Sequence, residues 1–229
     1  MGEMVEFAGN GGTSRGYLAV PESGSGPGVI VIQEYWGLNE QIKEVCDLVA
    51  EGFVALAPDL YRGEKAADAD EAARLMMAMN IDQAAKDMAG AIDFLRRRDE
   101  VTSDGVGVMG FCMGGGLALW LATLRPDDVK AVAPYYGVIP WPSAQPDYSK
   151  LRAPIQGHYA ADDPSASPEM VAELDQKLTS LGKRAEFFVY QNTTHAFAND
   201  HRPEVYNKEA ATLAWSRTVD FFRANLTDS

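Results

Sequence analysis

The sequence predicts an α/β fold: a mainly parallel, doubly wound sheet flanked by helices, built as a single domain over residues 1–229. Three observations predict it. Short apolar runs alternate with segments of helical periodicity along the whole chain, the order that right-handed crossovers turn into a parallel sheet. The run Val29-Ile30-Val31-Ile32 is apolar at every position, as a strand covered on both faces must be. No repeat or low-complexity linker divides the chain, whose 229 residues and 46% hydrophobic content suffice for one large core.

Taken in order, Val5, Phe7 and residues 17–20 flank a turn-forming stretch at Gly9 to Gly12, which reads as an antiparallel hairpin. Residues 21–28 are rich in Pro, Gly and Ser and form a loop before the first buried strand. Asn39 caps a helix whose apolar stripe is Ile42, Val45, Cys46 and Val49, closed by Gly52. Cys46 is therefore read as a buried structural cysteine. Residues 53–57 form the next strand, and helical pattern returns over 70–80 and 82–98, with Arg96, Arg97 and Arg98 at the negative end of the second helix. Residues 99–104 read as loop, 106–109 as strand and 117–124 as helix. A strand over 129–134, an aromatic- and proline-rich loop over 135–150, strands over 155–159 and 185–190, and helices over 167–181 and 203–224 complete the alternation.

Composition narrows the function. A formal net charge of −13 opposes binding to nucleic acid or an anionic membrane surface. No run reaches the roughly 18 apolar residues of a membrane span, and the first residues carry acids instead of a basic and then apolar leader, which predicts a cytoplasmic protein. Two cysteines do not make a disulfide framework and suit a reducing compartment. A monomer or small homo-oligomer without a metal or other cofactor is expected.

The chemistry concentrates in residues 105–116, Gly-Val-Gly-Val-Met-Gly-Phe-Cys-Met-Gly-Gly-Gly. Gly110-x-Cys112-x-Gly114 has the spacing of a nucleophile elbow, with cysteine where serine is usual. The nucleophile there takes a positive φ so that its side chain stands clear, and the residues two positions away must lack Cβ for strand and helix to approach. The helix that follows presents its positive end to the sulfur, favouring thiolate. Gly105, Gly107 and Gly110 also spell G-x-G-x-x-G, but a dinucleotide site needs a strand before the first glycine and a helix at the last, and residues 99–104 read as loop.

A cysteine nucleophile needs a base, and the base needs an orienting acid. Of three histidines, His195 falls in the polar segment between the last strand and the last helix, where the order nucleophile, acid, base puts it. His158 lies inside a strand and reads as core; His201, beside Asn199 and Asp200, reads as exposed loop. The acid belongs after the strand at 155–159. Asp163 is preferred to Asp162 because Pro164 fixes the turn and helix-start signals follow. Oxyanion donors are expected from the backbone amides of Met113 and of Tyr35, which lies in the Gln33-Glu34-Tyr35-Trp36-Gly37 loop. Glu34 is unusual there, since a carboxylate beside a thiolate opposes its ionisation.

These residues resemble the dienelactone hydrolases, a cysteine-using branch of the α/β-hydrolase fold. The likeness rests on Gln33 to Gly37, Ala57-Pro58-Asp59-Leu60-Tyr61, Gly110 to Gly115, Tyr135-Tyr136-Gly137, Asp163 and His195-Ala196-Phe197, and covers nearly the whole chain. The resemblance implies a Cys112–His195–Asp163 triad, Tyr35 and Met113 amides as oxyanion hole, Glu34 gating the thiol, no cofactor, and cleavage of a small ester or enol-lactone. Tyr35, Trp36, Tyr136, Trp141, Phe197, Asn199 and Arg74 are expected around the substrate. One departure matters: members of the family hold a substrate carboxylate with two arginines, and the corresponding positions here carry Asn199 and Ala69. Arg62, Arg74 and Arg202 are left to replace them, and a neutral ester or lactone becomes the competing substrate. The alternative from another class is a non-catalytic ligand-binding protein on a hydrolase fold, which loss of a triad member would favour. Peroxide sensing at Cys112 would need a resolving cysteine, and Cys46 is assigned to a buried helix face.

Overall fold

Strands that are apolar on both faces demand cover on both sides, and the computed structural model, which describes residues 1–227, supplies it. The elements are β1 (Glu3–Gly9), β2 (Gly12–Ala19), β3 (Gly26–Ile32), α1 (Glu40–Val49), β4 (Val54–Pro58), α2 (Ala69–Ala78), α3 (Ile81–Leu95), β5 (Val101–Phe111), α4 (Met113–Leu124), β6 (Val129–Tyr135), β7 (Ile155–Asp162), α5 (Pro168–Ser180), β8 (Ala185–Thr194) and α6 (Lys208–Leu226). The eight strands form one sheet in the order β1-β2-β4-β3-β5-β6-β7-β8. Only the β1–β2 and β2–β4 pairs are antiparallel; β4, β3, β5, β6, β7 and β8 run parallel.

Alternation along each strand sorts the core into two layers. Ile30 and Ile32 of β3 pack with Ile92, Leu95, Leu117 and Leu121 of α3 and α4. Val29 and Val31 face the other way and pack with Ile42 and Val49 of α1 and Ala214 and Phe222 of α6. Cys46 lies in this second layer, fully buried. Asn39 caps α1 by accepting from the Ile42 amide at 3.1 Å, and Ser167 caps α5 in the same way.

Element ends differ from the sequence expectation at three places that matter for function. β5 begins at Val101, not after Gly105, because residues 101–104 extend the strand past the core with alternating exposure, and the Ser103 hydroxyl accepts from the Gly28 amide at 3.0 Å. A strand therefore does precede Gly105, but no helix opens at Gly110, so the dinucleotide pattern still lacks its context. β7 and β8 run on to Asp162 and Thr194, and the polar residues at their ends pair with each other. α6 starts at Lys208, not near Pro203: Asn207 accepts from the Ala210 amide at 3.1 Å and sets the cap, while residues 202–206 form a turn. Among the described residues no helix is long and apolar enough to cross a membrane.

Candidate active site

Cys112 occupies the turn between β5 and α4 with φ 54° and ψ −121°, a region L-residues avoid at a cost of about 1–3 kcal/mol. Its neighbours hold it there. The Cys112 amide donates to the Tyr135 carbonyl at 3.0 Å, and its carbonyl accepts from Gly115 at 3.0 Å and Val138 at 3.1 Å. The glycine spacing has a direct cause. A Cβ on Gly110 would stand 2.1 Å from the Gly114 carbonyl oxygen, and one on Gly114 would stand 2.4 Å from the carbonyl oxygens of both Ile32 and Gln33. Only hydrogen fits at either position, and the turn places Cys112 as the N-cap residue at the positive end of α4.

Asp163 and His195 meet because of strand register. Asp162 at the end of β7 pairs with Thr194 at the end of β8, so the next residues of the two strands emerge side by side at the carboxyl edge of the sheet. His195 Nδ1 and Asp163 Oδ2 are 2.6 Å apart. The other oxygen, Oδ1, accepts from the amides of Ser165 at 2.8 Å and Ala166 at 3.2 Å. Burial opposes ionisation of Asp163, but the bond to His195 and these amides outweigh it and hold its carboxyl below the usual range. Asp162, the other acid weighed, is exposed. Burial also opposes charge on His195, yet the Asp163 hydrogen bond and the adjoining Cys112 prevail and hold the imidazole up to about 10.

Glu34, in the loop after β3, is 2% exposed, and burial pushes its carboxyl up. Its hydrogen bonds run to Tyr136 and Asn199 and not to Cys112: the Tyr136 hydroxyl donates at 3.3 Å and the Asn199 amide at 2.9 Å. Asn199 thus holds Glu34. The backbone amides of Tyr35 and Met113, which flank the elbow, donate to no protein group among the described residues.

A cavity of about 630 Å³ opens over Cys112 and His195. Tyr35 and Arg202 line it, but several expected pocket residues lie elsewhere. Arg74 is on the exposed side of α2 next to Glu71, and Arg62 reaches Asp87 of α3 at 3.8 Å; neither lines the cavity. Tyr136 and Phe197 are fully buried behind the site, with the Tyr136 ring 5.1 Å from that of His195 and 5.5 Å from that of Phe197. Trp36 packs against Tyr35 and lies under the Arg202 guanidinium, and Trp141 is core, donating to the Met76 carbonyl. The walls are instead Met76 of α2, Leu119 of α4, Ile139 after β6, Tyr159 of β7 and Leu174 of α5. Helical periodicity marks Leu119 as an apolar position but does not say that it also borders a cavity.

A family model described as the dienelactone hydrolase family matches residues 14–226. The chain belongs to the dienelactone hydrolase family. Among relatives in this family and beyond, "Protein usf" of Aquifex pyrophilus is 40% identical over 235 residues, covering 99% of this chain and all of that one. An Aquifex aeolicus protein named "Putative carboxymethylenebutenolidase" is 36% identical over 233 residues, with 99% of this chain and 100% of its own covered. A solved dienelactone hydrolase of Anabaena variabilis superposes with TM-score 0.72 at 20% identity, covering 99% of both chains, a likeness of fold alone.

Proposed function

We propose that the protein hydrolyses an ester or enol-lactone bond through a Cys112–His195–Asp163 triad and a thioester acyl-enzyme. The observation that carries this reading is the 2.6 Å contact of Asp163 with His195 at the sheet edge, beside a cysteine at positive φ that caps the start of a helix. Membership of a family of ester and lactone hydrolases supports the reaction class.

With Nδ1 committed to Asp163, His195 keeps Nε2 for the cleft, and a raised pKa keeps the ring protonated at neutral pH beside the sulfur. The Cys112 thiolate adds to the carbonyl carbon, and the oxyanion takes the Tyr35 and Met113 amides, which have no competing protein acceptor. The carbon–oxygen bond breaks, and the Nε2 proton passes to the departing alkoxide or enolate. Neutral His195 then takes a proton from water, hydroxide adds to the thioester, and the acid leaves as the thiolate and imidazolium are restored. Substrates with good oxygen leaving groups suit this pairing, because an imidazolium with a high pKa donates poorly to a departing amine and the thiolate is itself the better leaving group. Glu34, fixed by Tyr136 and Asn199, shapes the field at the sulfur.

The test is turnover of phenyl acetate and of a panel of neutral and anionic lactones, with acyl-enzyme trapped by acid quench and weighed by mass spectrometry. Native protein is expected to gain the mass of one acyl group on the peptide containing Cys112, and Cys112→Ala is expected to lose at least about 10³-fold in kcat. Full turnover by Cys112→Ala would overturn the proposal. Saturable binding without turnover across the panel would move the reading to the ligand-binding alternative.

A further inference from the structure

We infer that the substrate is an uncharged ester carrying an extended apolar group, which occupies a lobe between α2, α4 and α5. The inference rests on the ester-hydrolase reading and names the substrate class of the same cavity. Met76, Ile139 and Leu174 line the lobe and are also packed on the core cluster that contains Leu119, so this wall is the outer skin of the hydrophobic core. Pro140 and Met170 extend it. At about 630 Å³ the cavity is far larger than a compact lactone needs, within the range that drug-sized ligands fill.

Charge points the same way. Among the described residues Arg202 is the one lysine or arginine lining the cavity, and its guanidinium is engaged in part. Nε donates to Glu204 at 2.9 Å, and the group lies over the Trp36 ring at 5.8 Å. Asn199 is buried, does not line the cavity and spends its amide on Glu34. The neutral polar groups Gln145 and Ser165 cannot neutralise an anion. A carboxylate in this lobe would be stripped of water against Met and Leu side chains, on a chain of net charge −13 and with Arg202 as the one Lys or Arg side chain at the cavity among the described residues. An alkyl or aryl group would gain from the same surface, because burying methylenes is favourable.

The experiment measures kcat/KM of the native protein on p-nitrophenyl esters from acetate to decanoate, on alkyl acetates of rising chain length, and on phenyl acetate against 4-acetoxybenzoate. At about twofold per methylene, below the ceiling for full burial, a chain six methylenes longer is expected to exceed the short one by roughly 60-fold in one of the two series. The uncharged phenyl ester is expected to exceed its carboxylate analogue at least tenfold. Filling the lobe with Leu174→Trp should lower the ratio of long- to short-chain activity at least fivefold; Ile139→Trp, at a partly exposed loop position, asks the same if the first variant folds poorly. Flat or falling chain series, or preference for the anion, overturns the inference while leaving Cys112-dependent acetate turnover, and with it the ester-hydrolase reading, intact. Absence of turnover on every ester would instead remove the reading on which the inference rests.

Discussion

Two adjacent tyrosines at the end of β6 each face a histidine, and the two pairs are opposite in character. Tyr135 pairs in register with His158, with their rings 4.6 Å apart inside the core. Tyr136 lies 5.1 Å from the His195 ring at the sheet edge. His158 Nδ1 is 2.9 Å from the Tyr190 hydroxyl and Nε2 is 2.9 Å from Thr218, whose hydroxyl is also 2.8 Å from that of Tyr135. All of these partners are neutral. Burial, helped by the Arg217 charge, drives His158 down to about 3, so it stays uncharged. His195 is also largely desolvated, but an acid and a thiol adjoin it, and it is driven up to about 10. The comparison teaches that neither burial nor an aromatic neighbour sets the charge state of a histidine; the charge of its partners does.

The widest separation is expected in activity. His195→Gln should lower kcat by about 10³-fold or more, the range lost with a general acid–base, whereas His158→Gln should stay within about tenfold of native kcat. Esterase assays on folded variants check this, and comparable losses in the two would break the contrast.

Stability against pH comes next, and the two histidines act on opposite limbs. Below about 6.5 an unfolded His158 binds a proton that the folded one refuses until about 3, so stability falls with pH through that window at up to about 1.4 kcal/mol per pH unit. His195 is raised, so its contribution is complete below about 6.5 and is lost as pH rises through about 10. Urea unfolding across pH should show His158→Gln flattening the acid limb and His195→Gln the alkaline limb. His158→Gln should also cost about 2–3 kcal/mol at pH 7, because the hydroxyls of Tyr190 and Thr218 lose buried partners. An unchanged acid limb would show that His158 does not titrate as its surroundings require.

The smallest effect is expected at Asn199. Asn199→Ala removes the donor that favours charged Glu34, so the carboxyl moves further up and becomes more neutral. Less negative charge near the sulfur should speed Cys112 alkylation by iodoacetamide at about pH 7, by less than about tenfold. An unchanged rate would uncouple Glu34 from the thiol.

Much of this was legible beforehand where the cause is local. Gly110 and Gly114 mark the elbow because backbone atoms crowd any Cβ there, and a four-residue apolar run marks β3 because both its faces are buried. Asn39 and Ser167 mark helix starts, and chain order separates His195 from His158 and His201, the last of which is exposed and paired with Glu44 at 2.7 Å. The start of β5, the ends of β7 and β8 and the onset of α6 were not legible, because polar residues there are strand or turn according to what pairs with them across the sheet.

The sequence by itself determined the alternation of strand and helix, the position of the thiol and the order of its partners, since these follow from periodicity and from steric demands within a few residues. Tertiary structure alone decided which aspartate meets His195, through the pairing of Asp162 with Thr194. It also decided where Arg74, Arg202 and Asn199 point, and so the polarity of the cavity. Such outcomes depend on distances between residues far apart in the chain, and electrostatic and packing energies are set by those distances and by burial, not by sequence spacing.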